Sequence, residues 1–441
     1  MARLVKDNLP ERFTSVPARH VAAAVVGNAL EFYDFLTYAY FAVYIGRVFF
    51  PSSSPSASLL ASLATFGAGF VTRPIGGIVI GRMGDRLGRR PAMLLSFSLM
   101  GIAIVGLALT PPYSKIRIAA PILVILFRLL QGFALGGEVG PTTAFMLEAA
   151  SPGRRGFYAA FQPWTQGLSI LISGLVGFGI ASILNERQLQ AFGWRIAFLL
   201  GAVIVPFGMM IRRSLPETLY GHEAARSERV AWRPYVPVAV LGFFLLASGT
   251  TGSYVRTYMT TYAILTLNMS AKLGFAATIM VGAGEVLACL PVGMLSDRIG
   301  RKPVMLMAGT LLSLSILPGF RIMENYRSAS TLLACVATLS ILGAAWTTPL
   351  ITWLAESLPA QIRASGLAFV YAAAISVFGG TTQYVVTWMI KLTGSPLAPG
   401  YYWTAAAVIG LTAAVLAHES SPRRIAECAT PAAELPDETA H

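Results

Sequence analysis

The sequence predicts an all-α membrane protein: twelve transmembrane helices in two six-helix bundles related by a pseudo-two-fold. Three observations predict it. Of 441 residues, 55% are apolar and 12% charged, about half the charged share of an average soluble domain. Twelve spans of roughly 20 to 25 residues would use about 240 to 300 positions, leaving short loops, two modest tails and no large extramembrane domain. The third is a loop motif that returns at a fixed offset, the mark of a duplicated six-span unit.

In chain order, the first apolar stretch opens at Val21 behind a charged segment with no cleavable signal pattern, so the first span is expected to stay in the mature protein. Apolar runs and interrupting charges place spans near 21–46, 57–81, 92–112, 118–147, 157–184 and 195–212. After a hydrophilic linker, a second set falls near 234–262, 271–294, 303–320, 329–355, 364–390 and 400–418. The domains expected are an N-terminal bundle with its tail (1–212), a cytoplasmic linker (213–233), a C-terminal bundle (234–420) and a disordered cytoplasmic tail (421–441). With the N-terminal side in the cytoplasm, 21 Lys and Arg lie in tails and cytoplasmic connections, 9 on the opposite face and 3 inside spans. That asymmetry supports the orientation, because cytoplasmic connections retain positive charge during insertion. A net charge of +13 in a soluble chain would suggest a nucleic-acid partner; with the basic residues mostly between apolar runs, none is expected.

Gly81-Arg-Met-Gly-Asp85-Arg86-Leu-Gly88-Arg89-Arg90-Pro91 returns as Gly293-Met-Leu-Ser-Asp297-Arg298-Ile-Gly300-Arg301-Lys302-Pro303, 212 residues later. Glu148 and Arg155 are echoed by Glu356 and Arg363 at an offset of 208. Six spans per copy is even, so both copies enter from one side, a parallel repeat about an axis along the membrane normal. Asp85 and Asp297 follow glycines and precede Arg and Gly, suiting a tight turn whose carboxylate caps the next helix and pairs with basic residues. Asp85, Arg89, Arg155, Asp297, Arg301 and Arg363 are therefore read as a cytoplasmic gate, with Glu148 and Glu356 completing charge networks; the alternative is that these charges only set topology.

Charges at membrane depth are seldom placed there without a partner, a wet cavity or a task. Seven occur: Glu31, Asp34, Arg73, Arg128, Glu138, Arg256 and Glu285. All four histidines lie outside the spans or at an edge, so carboxylates must be the protonatable groups. Asn28, Glu31, Asp34 and Tyr38 share about 120° of helix circumference and should look into a cavity. Helical rise brings Asp34 and Arg128 to similar depth, roughly 20 and 27 Å from the cytoplasmic end, with Glu31, Glu138 and Arg73 lower. Two groups are expected: Asp34 with Arg128, and Arg73 with Glu31 or Glu138. Each can be a fixed pair or a switch in which a carboxylate alternates between Arg-paired and protonated states. Asp34 is favoured as the proton-coupling acid, ahead of Glu31 and Glu138.

Arg256 in span seven suits a carboxylate ligand, since guanidinium binds planar anions through two parallel hydrogen bonds; the alternative is an end-of-span arginine snorkelling to water. With Arg128 from the other half it would grip a substrate bearing two or more carboxylates. Gln131, Gln162, Gln166, Tyr258, Trp346 and Gln383 are candidate neighbours. Glu285 either lines the cavity or pairs with Arg256. Gly77 with Gly81, and Gly132 with Gly136, should allow close helix contact, while Pro74, Pro163, Pro291 and Pro349 offer bends.

The repeated Gly-Asp-Arg-Gly-Arg loop resembles that of the major facilitator superfamily of secondary transporters. Gly27-Asn28-Ala-Leu-Glu31-Phe-Tyr-Asp34-Phe, Thr72-Arg73-Pro74-Ile-Gly76 and Arg128-Leu-Leu-Gln131-Gly132 with Gly137-Glu138 look like its metabolite:proton symporter family. Phe378-Gly379-Gly380-Thr-Thr-Gln383, followed by Thr393-Gly394 and Pro399, looks most like the citrate and tricarballylate branch. The resemblance implies a secondary active transporter of the inner membrane, importing a citrate-like di- or tricarboxylate with protons by alternating access and acting as a monomer. A betaine or proline carrier, or a carrier of 2-oxoglutarate or shikimate, is the alternative within transport. From another class, a sensor or channel would need an output domain or uncoupled flux, and neither linker nor tail is long enough for such a domain.

No cofactor is expected. There is no phosphate-loop motif for ATP and no nucleophile, base and orienting group in a recognisable arrangement, so the chain is not read as an enzyme. Cys289, Cys335 and Cys428 show neither a disulfide framework nor metal-ligand spacing.

Overall fold

A computed structural model describes residues 29, 32–33, 35–87, 89–136, 150–213 and 233–422. All regular structure among them is helical. Glu31, Asp34, Glu138 and Glu148, residues 214–232 of the linker and the tail from 423 lie outside the described residues, as do the side chains of Asp85 and Arg89.

The first span is helical through residues 35–40 and ends in α1 (Ala42–Phe49). Proline at the first turn starts α2 (Pro55–Val71), its missing N–H being one a helix start leaves unused. Thr72 interrupts the second span before α3 (Arg73–Leu87), and its hydroxyl donates to the Leu129 carbonyl across the bundle (2.7 Å). Pro74 cannot donate to the Phe70 carbonyl four residues back, and Ser376 of the other half donates to that oxygen instead (3.2 Å). The N-terminal half continues with α4 (Arg89–Leu109), α5 (Ala119–Leu135), α6 (Phe161–Ile183) and α7 (Trp194–Arg213). The C-terminal half comprises α8 (Val236–Thr257), α9 (Ala271–Ile299), α10 (Arg301–Asn325), α11 (Ala329–Ser357), α12 (Ala360–Ala374), α13 (Gly380–Thr393) and α14 (Ala398–Leu416). Beyond α8 the helix continues through Met259–Thr261 into a π-helical turn, Tyr262–Thr266, and a second such turn, Ile375–Gly379, joins α12 to α13.

Among the described residues, eight helices are long and apolar enough to cross a bilayer, and two shorter apolar helices, Leu94–Leu109 and Ala119–Leu135, stand with them. Large apolar side chains such as Ile183, Val203, Leu287, Phe369 and Leu416 face outward, as lipid contact requires and water would oppose. Inside, Trp194, Trp346, Trp353 and Trp403 fill the bundles.

The halves meet along two seams, α6 against α9 and α2 against α13. Along the first, a Cβ on Gly174 would stand 2.8 Å from the Ile279 amide nitrogen, and one on Gly293 would stand 2.7 Å from the Gly156 carbonyl. Along the second, Gly67 faces the backbone of Gly380. Within the N-terminal half, Gly132 and Gly136 lie against the backbone of Gly69 and Arg73, the close approach their four-residue spacing predicts.

Candidate functional site

Arg128 on α5 is wholly buried. Nη1 donates to Gln131 Oε1 (2.7 Å) and Nη2 to the Phe66 carbonyl (3.3 Å), while the rings of Phe35, Tyr38 and Phe66 stand 4.3, 4.6 and 4.9 Å from its guanidinium carbon. Arg73, at the start of α3, is also buried, 4.4 Å from each of Phe35 and Phe70. The two cations share the Phe35 ring, whose negative face offsets part of the cost of leaving water. Among the described residues no carboxylate reaches either cation; Asp34, Glu31 and Glu138, their expected partners, are not among those residues.

Tyr254 of α8 packs against Phe66 and Phe70 (ring centroids 6.0 and 5.5 Å) and also lines a cavity between the halves. This cavity is walled by Phe32, Leu36, Gln166 and Ile170 from the N-terminal half. The C-terminal half adds Thr250, Ser253, Thr257, Glu285, Thr347 and Tyr371, among others. Gln166 Nε2 donates to the Tyr371 hydroxyl (3.5 Å), and Gln162 also interacts with it, joining α6 to α12.

The charged element of this wall is an ion pair. Arg256 Nη2 lies 2.8 Å from Glu285 Oε1 and 3.1 Å from Ser253 Oγ. Arg256 is 2% exposed and Glu285 5%. Arg256 does not snorkel, because its helix runs on for another two turns, and Glu285 both pairs with it and lines the cavity. Arg256 Nε has no hydrogen-bond partner, so this guanidinium holds its carboxylate at one point, with donors left over.

The other expected neighbours divide. Gln166 lies in the cavity wall, whereas Tyr258 accepts a hydrogen bond from Thr387 (3.1 Å) and Trp346 packs against Gly309 and Gly410 inside the C-terminal half. Gln131 is occupied by Arg128. Gln383 is buried, with neither amide atom hydrogen-bonded. The cavity's hydroxyls, Thr250, Ser253 and Thr257, were not anticipated. Their spacing of three and four is nonetheless a helical face on the same side as Arg256 and was available in the sequence.

At the end of the bundles that carries the repeated loop, Asp297 accepts hydrogen bonds from the backbone of Gly156 (2.8 Å) and Phe157 (2.9 Å) in the other half, and pairs with Arg301 (2.8 Å). It therefore caps the short helix Arg155–Ala159 across the seam and not its own next helix, as its sequence position suggests. That next helix, α10, is capped by Glu419, which accepts from the backbone of Arg301 (2.9 Å) and Lys302 (3.0 Å). Arg301, fully buried, makes a two-point contact with Glu356 (3.0 Å each), and Ser420 donates to the same carboxylate (2.9 Å). Arg363 donates to the Ala355 carbonyl (2.8 Å), and Arg155 Nε has no hydrogen-bond partner.

The profile of the sugar (and other) transporter family matches residues 20–233 and, a second time, 223–418. A citrate-proton symporter of Klebsiella pneumoniae is 38% identical over 397 residues, 88% of each chain. An alpha-ketoglutarate permease of Escherichia coli (strain K12) is 35% identical over 406 residues, 90% of this chain and 93% of the relative. Among solved structures, a D-xylose-proton symporter superposes with a TM-score of 0.74 over 92% of this chain and 98% of its own, at 20% identity; that likeness concerns the fold, two six-helix bundles.

Proposed function

The chain belongs to the sugar (and other) transporter family, within the major facilitator superfamily, and on that premise we propose that it imports a citrate-like di- or tricarboxylate with protons. The observation that carries the reading is Arg256: a buried guanidinium in the wall of a cavity between two halves, held at one point and able to offer its planar fork to a carboxylate. Thr250, Ser253 and Thr257 supply hydroxyls beside it, and Gln166 and Tyr371 close the opposite wall.

Arg128 is assigned the second substrate carboxylate, and Asp34, with Glu31 and Glu138 behind it, the proton-coupling role. Access alternates as the Asp297–Arg301–Glu356 network forms and breaks at the cytoplasmic end. The protein works as a single chain in the cytoplasmic membrane, with both termini inside. A second reading, transport of 2-oxoglutarate, draws support from the permease relative.

Radiolabelled citrate uptake into proteoliposomes under an imposed pH gradient, with tricarballylate, 2-oxoglutarate, shikimate and betaine as competitors, tests the proposal. Citrate or tricarballylate should compete best and a protonophore should abolish accumulation. Uptake indifferent to pH and protonophore would rule out symport.

A further inference from the structure

We propose that Glu285 is a proton-coupling residue in its own right: an incoming substrate carboxylate displaces it from Arg256, and the displaced carboxylate takes a proton from the outside. This rests on the carboxylate substrate proposed above and adds a coupling site in the C-terminal half.

Glu285 lies midway along α9, in the cavity wall, and Arg256 is its hydrogen-bond partner among the described residues. The pair is neutral while empty. A second carboxylate entering the cavity creates two anions competing for one guanidinium in a low-dielectric wall, a repulsion that protonating one of them relieves. Among the described residues Glu285 is the carboxylate in that wall. Among the described residues, the other titratable groups facing it are Tyr40 of the first span and Cys289 on its own helix, with Tyr254 and Tyr371 across the cavity. All four are of types that ordinarily lose their protons only above about pH 8.

The packing makes the exchange local. A Cβ on Gly167 of α6 would stand 2.6 Å from Glu285 Cβ, so the acid is pressed against the other half; Gly343 leaves room for the Arg256 guanidinium, and Trp403 lies 5.8 Å from it. The pair cannot open widely, and a change of partner is the movement the space allows. Because Glu285 lies on the α6–α9 seam, its state is felt by both halves. Binding then links the two ligands reciprocally: the anion favours the proton and the proton favours the anion. At the higher pH of the cytoplasm the proton leaves, Glu285 reclaims Arg256 and the substrate is expelled. The proton moves from external hydronium to a Glu285 oxygen, one O–H bond breaking as another forms, and on release passes to internal water.

The test is citrate binding by the purified full-length protein, measured by calorimetry from pH 5.5 to 8 in buffers of different ionisation heat, which reports protons taken up on binding. Wild type should bind more tightly as pH falls and take up protons. Glu285→Gln should bind with a flattened pH dependence, take up one proton fewer per citrate, and lose accumulation under a pH gradient. Glu285→Asp, which withdraws the acid from Arg256 but keeps it titratable, should shift the pH midpoint, and it supplies the readout if the Gln variant fails to fold. Unchanged pH dependence and proton uptake in either folded variant overturn the role of Glu285. Absence of citrate binding and uptake by the wild type would instead remove the substrate reading on which it rests.

Discussion

A guanidinium and an ammonium differ in geometry more than in charge, and Arg256 is where that difference should register. Its Nη2 is shared between Glu285 and Ser253 while Nε has no partner; a planar carboxylate meeting the free edge would gain a second charge-assisted bond, of order 1.5–3 kcal/mol. Arg256→Lys keeps the charge and loses the fork. Citrate affinity in that variant should fall by about tenfold or more, about 1.4 kcal/mol, and a Kd equal to wild type would exclude a two-point grip. Phe35 allows a second prediction. Its ring serves both Arg73 and Arg128, so Phe35→Leu removes two cation–ring contacts worth about 0.5–2 kcal/mol each. The unfolding midpoint in detergent should drop by several degrees, more than for Phe41→Leu, whose ring packs on Tyr44 and Phe275. The charges at depth were legible in the sequence because charge in lipid is conspicuous. Their aromatic neighbours were not: the rings of Phe35, Phe66 and Phe70 look in sequence like any apolar filling.

Helices reveal their existence through hydropathy and hide their interruptions. The span order was readable in advance, with ends that differ by a few residues; α9 and α10, for example, extend the predicted 271–294 and 303–320 to Ala271–Ile299 and Arg301–Asn325. The π-turns at Tyr262–Thr266 and Ile375–Gly379 carry no residue signature, since one extra residue per turn changes neither composition nor hydropathy. Pro74 was visible as a breaker, but its released Phe70 carbonyl is used by Ser376, a contact 306 residues away in sequence. Seam glycines behave likewise: spacing announces close approach without naming the partner. Gly156 shows the consequence. A Cβ there would stand 2.7 Å from both the Gly293 carbonyl and Ser296 Oγ, beside Arg301, and backbone cannot yield as a flexible side chain can. Gly156→Ala should wedge this contact apart. A cysteine placed at Thr250 in the cavity wall should then react faster with a maleimide supplied from the face on which Gly156 lies, above the background of the native thiols. Equal rates would mean that Gly156 does not hold that end closed.

For the whole molecule the quantity that matters is the charge moved when the halves exchange access. Carrying one elementary charge against 100 mV costs about 2.3 kcal/mol, so an unaccompanied citrate trianion costs about 7. Three protons remove that cost. One is assigned to Glu285, which leaves two to be carried by the substrate or by acids of the N-terminal half such as Asp34. In the C-terminal half Arg256 is neutralised by Glu285 and Arg301 by Asp297 and Glu356. Around Arg73 and Arg128 the described surroundings are aromatic. A polyanion entering the cavity meets a displaceable carboxylate at Glu285, and on the proposed mechanism a proton comes with it. Full neutralisation predicts that, with the pH gradient clamped, a valinomycin-imposed potential of 100 mV, inside negative, leaves the initial rate of citrate uptake undiminished. Slowing under that potential would show net negative charge moving inward and fewer than three protons per trianion, whereas acceleration would show a surplus.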